Sequence, residues 1–219
     1  MCDAAGMTLV VVGGDSGFGA ALVAALDRGP ASVAAVPATD DAMQANAALA
    51  AIAEPSAVMH VCAADPAAAA RPLVETGTAG WHAGCEEVVW RALTSLQSAH
   101  AVLSPYADGR VVMVTATAGV SGAPGSVPFV AALEGVRALA KSAARQWGAA
   151  GISVNCVSVP LELLAPTHAG HTSFLPPPAR VRDDPVADVA GAVEFLCSPG
   201  APGISGATLL VDGGAVMAP

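Results

Sequence analysis

Four apolar residues, Leu9-Val10-Val11-Val12, run directly into Gly13-Gly14-Asp15-Ser16-Gly17-Phe18-Gly19, and residues 20–27 then read as a helix that Gly29-Pro30 stops. An apolar run without alternation is what a strand buried on both faces needs. A glycine-rich turn between such a strand and a helix permits a tight reversal. It also leaves backbone N–H groups bare at the positive end of the helix, where a pyrophosphate can approach. The same glycines equally serve close strand–helix packing, so the loop alone leaves binding and packing both open. It does require a strand that lies inside a covered sheet.

The rest of the chain repeats the alternation. Residues 32–36 read as a second strand, 40–53 as an alanine-rich helix closed by Glu54-Pro55, and 57–63 as a third strand. Residues 65–80 are irregular. From 81 to 103 the pattern is helical, with Cys85, Val88, Val89, Ala92, Leu93 and Leu96 on one face. Asp108-Gly109 leads into a strand at 110–116, 119–128 is a Gly/Pro loop, and 129–148 is a long helix. A strand at 152–157, a long loop at 158–185 containing Pro176-Pro177-Pro178, a helix at 186–197 and a strand at 207–211 complete the chain. Strands alternating with helices imply an α/β fold with a doubly wound parallel sheet, in one domain spanning 1–219.

Composition narrows the function classes. Hydrophobic residues make up 54% and charged residues 12%, the opposite of a disordered chain. The longest strand-like apolar runs, 9–12 and 111–114, fall far below the ~18 residues of a membrane span. The opening residues, Met1 to Gly6, have no basic segment ahead of an apolar stretch, so no signal peptide is expected. The five cysteines, Cys2, Cys62, Cys85, Cys156 and Cys197, are scattered without C-x-x-C spacing. That fits a reducing cytoplasm and no metal site. A net charge of −9 without a basic cluster repels phosphate backbones, so neither nucleic acid nor a membrane is an expected partner.

Joined motifs along nearly the whole chain resemble the short-chain dehydrogenase/reductase family, in its acyl-carrier or hydroxyacyl reductase-like branch. Gly13 to Gly19 is similar to that family's T-G-x-x-x-G-I-G loop, with Val12 in place of Thr. Gly109-Arg110-Val111-Val112-Met113-Val114 resembles its fifth strand, and Gly151-Ile152-Ser153-Val154-Asn155-Cys156-Val157 its G-I-R-V-N-x-V segment. Pro185 to Ala190 with Phe195-Leu196, and Ile204-Ser205-Gly206 with Val211-Asp212-Gly213-Gly214, resemble its C-terminal signature. The resemblance implies a Rossmann-like sheet, with Gly13, Gly17 and Gly19 as cofactor-binding glycines for NAD(P).

It also implies a Ser-Tyr-Lys triad joined by an Asn, in which a tuned phenol serves as acid or base. Here the serine position falls on Ala116, the Y-x-x-x-K positions on Phe129 and Leu133, and the Asn on Val88 or Val89. No local realignment repairs this. Tyr106, the single tyrosine, precedes the strand, and Lys141, the single lysine, stands 12 residues beyond Phe129, about 18 Å along a helix. Thr115 and Thr117 flank Ala116, but strand alternation points them to the other face. No catalytic residue is therefore assigned. The acidic residue that holds the adenosine ribose in the family corresponds to Pro37. The N-N-A-G motif becomes Cys62-Ala63-Ala64-Asp65, putting a negative charge near the expected cofactor track. Only 21 residues, 38–58, separate Pro37 from Met59, whereas helix, strand and helix need roughly 30. One edge strand and its helix are expected to be missing, and no cofactor is expected to bind tightly.

Other groups are weaker candidates. His168 and His171 have i, i+3 spacing in the long loop, with Glu162 as the one nearby carboxylate, and read as solvated loop histidines. Cys85, near His82 and Glu86, reads as a buried structural thiol. Asp65 lies at the carboxyl end of a strand, where open α/β sheets bind ligands, but before Pro66 it also suits helix capping. The preferred reading is a non-catalytic subunit of a hetero-oligomeric dehydrogenase, paired with an active paralogue or with itself. Rewired non-redox chemistry, and an NAD(P)-dependent oxidoreductase or sensor with residual nucleotide binding, are the alternatives.

Overall fold

The computed structural model describes residues 6–65, 68–106, 108–171 and 177–217, with the backbone alone for 169–171. Its strands are β1 (Thr8–Val12), β2 (Ser32–Val36), β3 (Ala57–Val61), β4 (Arg110–Ala116), β5 (Ser153–Val159) and β6 (Thr208–Leu210). All neighbours pair in parallel, in the order β2-β1-β3-β4-β5-β6. The sheet thus grows outward from β1 to β2, then restarts on the other side of β1 with β3. Every residue of β3, β4 and β5 is buried, while the short edge strand β6 is not. The continuous apolar runs are the consequence of helices covering both faces.

One face carries α1 (Gly17–Leu26) and α8 (Pro185–Cys197), packed on each other. The other carries α2 (Ala42–Ala50), α4 (Glu87–Leu103) and α6 (Val127–Trp147). The expected loss of an edge strand and helix matches the topology: α2 alone joins β2 to β3, and the sheet ends at β2. Among the described residues no helix is long and apolar enough to cross a membrane.

Several boundaries differ from the sequence reading, each for a local reason. Helix α2 starts at Ala42 and not at 40, because the Asp41 carboxylate accepts from Met43 N and Gln44 N at 2.9 and 3.1 Å. The helix expected from 81 begins earlier, with α3 (Thr78–Trp81), and passes through a π turn at His82–Glu86 before α4. Within that turn Gly84 meets the start of α6: a Cβ there would stand 2.9 Å from Pro128 Cβ. Helix α6 starts two residues ahead of Phe129, since Pro128 is tolerated in a first turn. A short helix, α5 (Ala118–Ser121), occupies part of the Gly/Pro loop. The long loop from 158 also contains regular structure. β5 continues to Val159, α7 (Leu161–Leu164) follows, and a 3₁₀ helix spans Pro166–His171. Pro176 and the first five residues, Cys2 among them, lie outside the described residues.

Buried polar groups inside this core are paired where they shape the chain. Thr115 and Ser158 hydroxyls bond across β4 and β5 at 2.8 Å. Asn155, 1% exposed, donates to Ile204 O at 2.8 Å and accepts from Ala207 N at 3.0 Å, pinning the entry to β6. Replacing Asn155 by Ala strands that carbonyl and that N–H in the interior. The expected cost is about 2–4 kcal/mol, read as a lower urea midpoint with an unchanged slope.

Candidate functional site

Two clefts of about 510 Å³ each open at the carboxyl ends of the strands. The first lies where the strand order reverses, between β1 and β3, the position at which open α/β sheets hold ligands. Its floor is the glycine loop. Ser16 donates to Gly13 O at 2.8 Å and accepts from Gly19 N at 3.0 Å, so it caps α1 and closes the turn. The glycines now separate by role. A Cβ on Gly19 would fall 2.0 Å from Gly13 O, so Gly19 serves packing. Gly13 takes φ +81° beside Val61. A Cβ on Gly17 would meet nothing within 4 Å, and Gly17 lines the cleft, so no packing contact requires its bareness.

The walls carry groups of mixed sign. Asp15 and Asp65 supply carboxylates, and Arg91 supplies a guanidinium that pairs with Glu87 at 3.0 Å. Ala38 follows β2 at the wall, whereas Pro37 is exposed and does not line it. His60, on β3, is 2% exposed, and its Nδ1 has no partner among the described residues. Burial, reinforced by the charge of Arg91, pulls its pKa down to about 4. On its wall Ala64 N donates to Leu164 O at 2.9 Å, tying the β3 loop to α7.

Ala64, Asp65 and Val88 line both clefts and stand between them. The second cleft continues along Ala68, Arg71, Glu75, Gly84, Ser126, Phe129 and His168. Ala116 and Leu133 are fully buried in the core, and Phe129, also buried, meets the His168 ring edge-on at 6.4 Å. Tyr106 is exposed in the turn before β4, at the opposite end of the sheet, and Lys141 is exposed on α6. Thr115 is spent on Ser158, and Thr117 donates to Val159 O at 3.4 Å.

The remaining candidates separate sharply. His168 is not a solvated loop histidine: it is 4% exposed, bonded through Nδ1 to Ser126 Oγ at 3.0 Å and through Nε2 to Ala68 O at 3.3 Å. The His171 side chain lies outside the described residues. Asp65 lines both clefts, and residues 66–67 that follow it lie outside the described residues, as does any capping bond to them. Cys85 is buried as its apolar stripe requires, and His82 bonds Glu86 at 2.9 Å. Burial raises the Cys85 thiol and pushes Cys156 to about 11 and Cys197 to about 12, so all stay protonated. Among the described residues no three His, Cys, Asp or Glu side chains form a metal cluster. Sequence reasoning missed the Ser126–His168 pair, whose members are 42 residues apart with no local signal. It also missed His60, whose signal was legible as one polar residue inside an apolar strand.

A family model described as enoyl-(acyl carrier protein) reductase matches residues 1–216. The chain belongs to the short-chain dehydrogenase/reductase family. A 3-oxoacyl-[acyl-carrier-protein] reductase of Synechocystis is 34% identical over 114 residues, covering 50% of this chain and 45% of that protein. Xanthoxin dehydrogenase of Arabidopsis thaliana is 33% identical over 138 residues, covering 56% and 48%. The matches to these curated relatives thus span about half their length. A short-chain type dehydrogenase/reductase of Mycobacterium ulcerans superposes with TM-score 0.79 at 19% identity, covering 96% of this chain and 90% of that one. A Beutenbergia cavernae protein assigned as an NAD(P)-dependent gluconate 5-dehydrogenase, with NADP bound at low occupancy, gives 0.77 at 23%, covering 96% and 97%. Both establish the fold.

For the family's dinucleotide the first cleft offers the glycine loop at one end. The open Gly17 and the α1 N-terminus suit a pyrophosphate. Ala64, whose N–H donates to Leu164 O, and Asp65 stand where the first cleft adjoins the second, which Phe129 lines.

Two measurements check this anatomy. Gly19→Ala should destabilise the fold by about 2–4 kcal/mol, because its methyl meets backbone, whereas Gly17→Ala should leave the melting temperature within a degree or so. His60 sets an acid limit. Its folded pKa lies below the unfolded 6.5, so the stability of its neutral ring is complete above that pH and is lost as pH falls toward 4. The loss is on the order of 3 kcal/mol, and thermal melts of His60→Leu against wild type between pH 7 and 4 should show a flatter profile in the variant.

Proposed function

We propose that this chain transfers no hydride itself and serves as a supporting subunit beside a triad-bearing relative in a mixed dehydrogenase assembly. The observation that carries the reading is the burial of Ala116, Phe129 and Leu133 at the positions that align with the family's serine, tyrosine and lysine. Reduction of a carbonyl needs a proton donor beside the accepting oxygen, and a cation to lower that donor's pKa. Phe129 retains a ring without a hydroxyl, and Leu133 retains bulk without charge. Tyr106 and Lys141 face solvent elsewhere.

Cofactor chemistry is reduced on the same reading. NAD(P) would supply the hydride in a working member. Here the glycine loop would contact its pyrophosphate, while the Ala64–Leu164 bridge and the neighbouring Asp65 would disfavour a nicotinamide beside Phe129. Binding is therefore weak and stops at the pyrophosphate end.

Assembly surfaces support the subunit role. Trp90 stands exposed on α4, the helix that packs with α6. Phe195 on α8 and Leu209 on the edge strand β6 expose apolar area at the other end of the sheet. Association would remove this area from water, and an uncovered strand edge is itself a site for pairing.

Native mass spectrometry of the protein drawn from its own cells tests the proposal. The expected mass is this chain plus a family member that carries Ser, Tyr and Lys. Copies of this chain alone would exclude it. The isolated chain should also show no NADPH- or NADH-dependent reduction of ketone or acyl substrates, and measurable turnover would overturn the reading.

A further inference from the structure

Ser126 and His168 form a constellation that hydride transfer does not use. Ser126 is the N-cap residue of the 21-residue helix α6, yet its hydroxyl makes no capping bond. A serine there ordinarily accepts from the second or third N–H of the helix. Pro128 has no N–H to offer, and the Ser126 hydroxyl is instead 3.0 Å from His168 Nδ1. The environment also decides the direction of that bond. His168 Nε2 faces Ala68 O at 3.3 Å, and a carbonyl can only accept. Nε2 therefore carries the proton of the neutral ring, Nδ1 is the acceptor, and Ser126 donates. Ala68 is held in turn: its carbonyl also accepts from Thr167 Oγ1 at 3.1 Å, and its N–H donates to Asp65 O at 2.9 Å. A hydroxyl, a base and an acceptor that fixes the base's tautomer are the three parts of an activated nucleophile.

We propose that Ser126 and His168 are the nucleophile and general base of an acyl-transfer centre that hydrolyses carboxylic esters bound in the second cleft. Both side chains are buried, and both line that cleft. Ala69, Ala79, Ala83, Pro128 and Phe129 give it an apolar stretch that suits a short acyl chain, beside the charged Arg71 and Glu75. Ser126 Oγ adds to the ester carbonyl carbon as its proton passes to His168 Nδ1. The developing oxyanion lies toward the first turn of α6, where N–H groups lack intrahelical acceptors and the helix end is positive. As the carbon–oxygen bond to the alcohol breaks, His168 returns the proton to the leaving oxygen, leaving an acyl group on Ser126. Water then attacks that acyl carbon, giving a proton to His168, and collapse frees the carboxylic acid and restores the serine hydroxyl. Ester and water become acid and alcohol, with no change of oxidation state.

The full chain is incubated with a fluorophosphonate probe, digested, and the adduct located by peptide mass spectrometry; p-nitrophenyl butyrate hydrolysis is measured in parallel. A single adduct on Ser126 is expected, with hydrolysis reduced ~100-fold or more in Ser126→Ala and in His168→Gln. Thermal melts verify that both variants fold, and the wild-type adduct needs no variant at all. No adduct, an adduct on another residue, or hydrolysis unchanged in a folded Ser126→Ala would overturn the proposal and leave a purely structural hydrogen bond. Neither result bears on the mass of the assembly, so failure here is distinct from failure of the supporting-subunit reading.

Discussion

The central parallel ladder is the constraint from which the rest follows. β3, β4 and β5 are buried at every position, so each of their backbone N–H and C=O groups needs a partner inside the protein. Parallel pairing supplies those partners only if each connection crosses back over a face, and the crossover helices then seal both faces from water. All carboxyl ends consequently emerge on one edge, and both clefts open there. Tyr106 lies at the opposite end, in the turn before β4, and lines neither cleft.

The same demand for apolar filling reaches into the site. Ala116, Leu133 and Phe129 extend the core of β4 and α6 up to the cleft floor. A phenol and an ammonium at two of these places would each need a partner and would lose hydration. On the proposed reading, their absence removes a chemically active but strained arrangement and returns the volume to packing. Of the polar groups nearby, Thr115 is paired with Ser158, while His60 is buried beside the first cleft with its ring held neutral.

Two clefts with a common wall permit separate chemistries. The first has the glycine loop, a helix N-terminus and charges of both signs. The second sets the Ser126–His168 pair among alanines and Phe129, with Arg71 and Glu75 also on its wall. Asp65 faces both. The wall combines the loop after β3, tied to α7 by the Ala64 N–Leu164 O hydrogen bond, with Val88 of α4.

The sequence by itself determined the α/β class, the parallel sheet, the missing edge strand and the family. These rest on local signals: apolar runs of strand length, helical spacing of apolar residues, glycines between them, and a count of 21 residues too few for three more elements. The apolar character of positions 116, 129 and 133 was equally legible, because residue type needs no fold to be read. The π turn at Gly84, the division of roles between Gly17 and Gly19, the buried place of His168 and its bond to Ser126 were decided only in three dimensions. Each depends on atoms far apart in the chain meeting within a few ångströms, and nothing in the local sequence of His168, set in a stretch with the composition of a solvated loop, records a serine 42 residues earlier.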